Sequence, residues 1–220
     1  MASAEVFVAE TEFKNQESFR GLVASSYLPA LAADKASIAE MLRMEAKLTI
    51  EAIEAAAIWI ADSESLEMKI LLGSQCGVHA RQYGRLQDRL ATLGLAPGSY
   101  DPREGGYSKL FAFLRSLQTS EERAAAGLLT VGGAAVARLD ALLTVCRERG
   151  DEATATLLSS EMIPDEQRRA DAGRDRLVLL ATAEDSQARA RRAVFKTIEL
   201  LGDVCDPGVL RRMLGRTGRR

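Results

Sequence analysis

Apolar residues recur along this chain at steps of three and four, the period of one helix face, and strand-like alternation is nearly absent. A short helix is expected near Glu17–Ser25, broken at Pro29. Ser37-x-x-Glu40 is a capping box that opens the first long helix, which runs to about Ala61. Its inner stripe reads Ile38, Met41, Leu42, Glu45, Leu48, Thr49, Ala52, Ala56 and Trp59, with Glu40, Glu51 and Glu54 pointing away and Trp59 in the core. Asp62 or Ser63 caps the second long helix, whose seam of Leu72, Cys76, His79, Tyr83, Leu86, Leu90 and Leu93 alternates four and three. The stop signals of "LGLAPGSYDP" end it.

Residues 100–119 then form a crossover with a short helix in "YSKLFAFLRSL". A second capping box, Thr119-x-x-Glu122, starts the third long helix, to about Arg149. Gly150 and Asp151 make a C-cap followed directly by an N-cap, so the fourth helix turns back. Its stripe is Leu158, Met162, Glu166, Arg169, Gly173, Leu177 and Leu180, with a kink or bulge expected just before Glu166 because Pro164 lacks an N–H. A fifth helix spans about Asp185–Leu201. The expected fold is all-α: one domain over residues 1–220, a four-helix bundle about 37–182 with one long crossover and extra terminal helices.

Composition narrows the setting. The chain has 220 residues, 47% hydrophobic and 27% charged, enough for one sizeable core. A net charge of −2 gives no electrostatic case for nucleic acid or an anionic membrane surface. No signal-peptide pattern and no membrane-length apolar run is evident. Cys76, Cys146 and Cys205 are widely spaced and odd in number, which reads as reduced thiols in a cytoplasmic protein. The long stripes also suit a homodimer.

Polar residues interrupt the stripes at similar depth: Glu45, then Cys76 and His79, then Glu166 and Arg169, with Tyr83 one turn beyond His79. Buried charge is costly unless paired or metal-bound, so acids in two core stripes signal a built site or a structural polar layer. Gly132, Gly133 and Gly173 cost about 1 kcal/mol each in a helix interior. They mark either close helix packing or room for a ligand.

The segments "LLGSQCGVHARQYGRLQDRLATLG" and "GDEATATLLSSEMIPDEQRRADAG" resemble the ferritin-like superfamily, in its branch of bacterial di-metal oxidases and oxygenases. The likeness covers roughly Ser37 to Leu180, and Glu45 precedes Cys76 by 31 residues, near the family's spacing. It implies a di-metal site for oxidation, hydroxylation or N-oxygenation of small molecules. Here the helix-two Glu position is Cys76, the helix-four His position is Arg169, and Gly132 or Gly133 stands where a helix-three Glu is expected, with Asp140 the nearest acid. Of six ligands, Glu45, His79 and Glu166 remain. The expectation is a small organic substrate and metal-independent acid/base chemistry on Glu45, His79, Glu166 and Arg169, with Cys76 and Tyr83 as further candidates. The alternatives are one Fe or Zn on Glu45, Cys76, His79 and Glu166 serving oxygenase chemistry, a non-catalytic subunit of an oxygenase complex, and, weakest, metal storage.

Overall fold

The computed structural model describes residues 2–25, 37–96 and 98–204; among them every regular element is a helix. Helix α1 is Ala4–Ser25, α2 Ile38–Asp62, α3 Leu66–Thr92 and α4 Lys109–Leu114. Helix α5 is Ser120–Glu148, α6 runs through Glu152–Leu157, Leu158–Met162 and Ile163–Leu180, and α7 is Glu184–Val204. Two antiparallel hairpins, α2/α3 and α5/α6, face each other, with α4 in the crossover between them, while α1 packs outside on α5 and α6, and α7 on α5, α4 and α1. The "YLPAL" break and Cys205 lie outside the described residues.

The punctuation acts as expected at most joints. Both capping boxes form. Gly150, at φ +71°, ends α5, and the Asp151 side chain accepts from the Thr154 N–H to start α6. Arg89 near the end of α3 donates to Asp151 Oδ1 at 2.6 Å and to Thr154 Oγ1 at 2.8 Å, tying one hairpin to the other's turn. At the α2–α3 joint, Ser65 rather than Asp62 or Ser63 is the N-cap. Ser63 instead closes α2 and accepts from the buried Arg123 guanidinium at 3.2 Å.

Pro164 acts as expected. The turn before it widens to i→i+5 hydrogen bonds over Leu158–Met162, Ile163 N–H donating to Leu158 O, so the missing proline N–H is absorbed by a π-bulge. A second π-segment, Arg123–Thr130 in α5, carries no proline and had no signal in the sequence.

Two expectations need correction. Helix α1 begins at Ala4, well before Glu17. Its inner stripe, Phe7, Val8, Thr11, Asn15, Phe19, is diluted by polar members that become buried through hydrogen bonds: Thr11 to Phe7 O, Asn15 Nδ2 to Thr130 Oγ1. Helix α5 is, by length and composition, long and apolar enough to cross a membrane, although no such run was expected; 56% of its most apolar stretch is buried within the fold. Helices α1, α6 and α7 all pack on it, so a core position between layers explains the apolarity.

Candidate functional site

Glu45, His79, Glu166 and Arg169 all line one cavity of about 60 Å³ between the two hairpins. All four are at most 5% exposed. The space holds about four water-sized spheres. Leu110, Phe111, Leu114 and Leu201 form an apolar arm.

Two further residues of this centre escaped the sequence reading. Arg138 on α5 clamps Glu45, Nε to Oε1 at 2.8 Å and Nη2 to Oε2 at 2.9 Å. This bidentate geometry is the strongest a carboxylate finds on a side chain. Arg138 stands six residues beyond Gly132 and two before Asp140, so the third helix supplies a cation where the resemblance implied an acid. The other is Gln82, which takes the inward position assigned to Tyr83.

The phase of α3 explains both Gln82 and the fate of Cys76. Its buried face is Met68, Leu72, Gln75, His79, Gln82, Leu86, Leu90, which satisfies the same four-three rhythm one residue earlier at two places. Apolar ranking selects Cys76 and Tyr83; the folded helix turns Gln75 and Gln82 inward. Cys76 is half-buried, with Sγ directed at Ile53 O on α2 at 3.7 Å, and burial raises its thiol pKa. Tyr83 packs, partly buried, against the apolar group that includes Leu86 and Met44. Neither lines the cavity, a correction to their assignment as site candidates.

Around His79 the hydrogen bonds define a tautomer. Nδ1 lies 3.1 Å from Gln82 Oε1 and 3.5 Å from Glu166 Oε1, both acceptors, so Nδ1 carries the proton. Nε2 has no hydrogen-bond partner among the described residues, leaving a lone pair. Gln82 is held in turn by its amide, Nε2 donating to Asp165 Oδ2 at 3.5 Å. Burial lowers the His79 pKa below 6.5, outweighing the opposing pull of Glu166, so the ring is neutral at pH 7. Burial pushes the Glu166 carboxyl up, but Arg169, His79 and Arg138 together hold it below the ordinary range. Arg169 donates to Glu166 Oε2 at 3.1 Å and to Gly127 O at 2.8 Å, while its buried Nε has no partner.

Both shifts make acid destabilising, and the signs agree. His79 titrates lower when folded, so its contribution is complete above about pH 6.5 and is lost as pH falls from there to its folded pKa. Glu166 also titrates lower when folded; its contribution is present above about pH 4.5 and is lost as pH falls through its folded pKa. Urea unfolding of His79→Gln is therefore expected to lack the first part of this decline, the loss of stability that sets in near pH 6.5 in the parent. An unchanged slope contradicts the neutral buried ring.

The metal donors implied by the resemblance are not assembled. Cys76 faces α2, Arg169 holds Glu166, and Arg138 occupies both oxygens of Glu45. Gly132 is packed against Ala170, where an added Cβ would lie 3.1 Å from the backbone nitrogen. Among the described residues no three His, Cys, Asp or Glu side chains come together as a metal-holding group. Two carboxylates face two guanidiniums, so the centre is balanced in charge without a metal ion. No family model, no curated protein and no solved structure matches the chain.

Proposed function

We propose that this chain is a ferritin-like bundle whose centre, in place of a metal pair, is a metal-independent acid/base site for a small organic substrate. The two antiparallel hairpins joined by a crossover support the fold reading, and the arginine-neutralised carboxylates support the chemistry. The observation that carries the proposal is the His79 ring, buried, neutral and bare at Nε2, on the wall of a cavity.

In this reading Nε2 removes a proton from a carbon acid or delivers one to a leaving group. Glu166 holds the Nδ1–H tautomer and stabilises the imidazolium while it exists. The guanidinium of Arg169, which lines the cavity and commits two of its five N–H donors to Glu166 and Gly127, is the group available to a carbonyl or carboxylate oxygen as negative charge develops there. A cavity this small admits the reacting end of a substrate, its apolar remainder lying toward Leu110, Phe111 and Leu114. The reaction classes served are isomerisation, dehydration, cyclisation or rearrangement next to a carbonyl.

The test needs no knowledge of the natural substrate. Small ketones and unsaturated carboxylic acids are incubated with the protein in D₂O, and exchange at the carbon beside the carbonyl is followed by NMR. The folded His79→Gln variant is expected to exchange at least about 100-fold more slowly than the parent. Equal rates, or no exchange above buffer across the panel, would assign the layer to structure alone and return the chain to the class of non-catalytic subunits.

A further inference from the structure

A second hollow lies on the other side of α5 from the acid/base cavity. It is a groove of about 870 Å³ between α1, α5 and α6, in the upper part of the range of drug-sized ligand pockets. Its body is apolar, built on Phe19, Leu129, Val136, Ala141 and Val145. Its charged residues are Glu12, Asp140 and Glu148 against Arg20, three carboxylates to one guanidinium. Glu12 has a distant pairing with Arg174 at 3.8 Å, whereas Asp140 and Glu148 have no ion-pair partner among the described residues.

Asn15 adds a polar signal in the wall. It is 3% exposed, and its Nδ2 donates to Thr130 Oγ1 at 3.0 Å, while that hydroxyl donates to Ala125 O at 2.7 Å. This order fixes which end of the amide is the oxygen, because the Thr130 proton is already committed. Oδ1 is left buried without a donor, an arrangement that native proteins seldom leave unanswered. That oxygen lies closed behind the wall, so what the groove itself lacks is a positive charge and an apolar body.

We propose that this groove binds a hydrophobic organic amine in its ammonium form, the N–H donors meeting the acidic rim of Glu12, Asp140 and Glu148, and the carbon skeleton covering Val136, Ala141 and Phe19. Charge complementarity selects this occupant over a fatty acid or a neutral lipid tail. The site shares no lining residue with the His79 cavity, so it stands independently of the acid/base reading.

Calorimetry on the full chain with 4-phenylbutylamine, 4-phenylbutanol and 4-phenylbutyrate tests it. The amine is expected to bind at least tenfold more tightly than the alcohol, and the acid not measurably. Ala141→Phe, which fills the groove, is expected to abolish binding; Asp140→Asn with Glu148→Gln, on the exposed rim and so harmless to folding, to weaken it about tenfold; and His79→Gln to leave it unchanged. Absence of amine binding, equal binding of amine and alcohol, or binding indifferent to both Ala141→Phe and the rim variant would overturn the proposal. So would sedimentation showing a dimer that Ala141→Phe breaks, because the groove would then be an interface between copies.

Discussion

Arg138→Met is expected to destabilise the fold by about 3–5 kcal/mol, the cost of leaving a buried carboxylate without its cation. Glu45 is 2% exposed and has both oxygens on the Arg138 guanidinium, so removing the guanidinium strips the carboxylate of two charge-assisted hydrogen bonds at once. Water cannot replace them cheaply, because the cavity beside Glu45 has room for only about four molecules. The double variant Glu45→Leu with Arg138→Met is expected to recover the loss and to approach or exceed the parent, since a buried ion pair rarely outperforms well-packed apolar groups. Urea unfolding of the two single variants and the double gives the coupling energy directly. Additive effects would show that Glu45 and Arg138 do not depend on each other, and the charge-balanced centre would lose its first pair.

The second large effect concerns a glycine. Gly173→Ala would place a Cβ 2.5 Å from the Leu129 backbone nitrogen and 2.7 Å from Leu128 Cβ. The nearest obstacle is backbone, so α5 and α6 must move apart, and a loss of about 3 kcal/mol is expected, at the upper end of overpacking costs. The same substitution at Gly84, in the interior of α3 with nothing within 4 Å of the added carbon, is expected to stabilise by about 1 kcal/mol through helix propensity. Thermal and urea unfolding of the pair should therefore give opposite signs. This settles the role of the glycines in the stripes: Gly132 and Gly173 seat α5 against α6 instead of making room for a ligand, and Gly133 lies under Phe19 at the outer groove. Gly127, which the sequence did not single out, does comparable work, since a Cβ there would lie 2.2 Å from the Trp59 ring.

The helices were legible because capping boxes, the Gly150–Asp151 turn and the apolar period are local signals that agree with one another. Depth was legible for Glu45, His79, Glu166 and Arg169, all read from their stripes. Partnership was not. Arg138 occupies a position that local pattern cannot distinguish from a solvated arginine; only the approach of α2 to α5 gives it Glu45. Glu51, read as pointing away from the core, is 6% exposed, because the crossover folds over it and Ser108 donates its N–H at 2.8 Å and its hydroxyl at 2.6 Å to the carboxylate. Gln75 and Gln82 were passed over for Cys76 and Tyr83 because apolar ranking misjudges a stripe that crosses a polar layer: there, an amide that bridges His79 and Asp165 belongs inside. Each failure is long-range, set by which helices meet and by what fills the space between them.

The proposed acid/base chemistry depends most on the state of one ring. The chain has a single histidine, so its side-chain nitrogens can be read without ambiguity by long-range ¹H–¹⁵N NMR. At pH 7 the spectrum is expected to show a neutral imidazole protonated at Nδ1, with a titration midpoint below the ordinary 6.5. A charged ring at neutral pH, or a neutral ring protonated at Nε2, would contradict the account, because the nitrogen assigned as the base would already hold a proton.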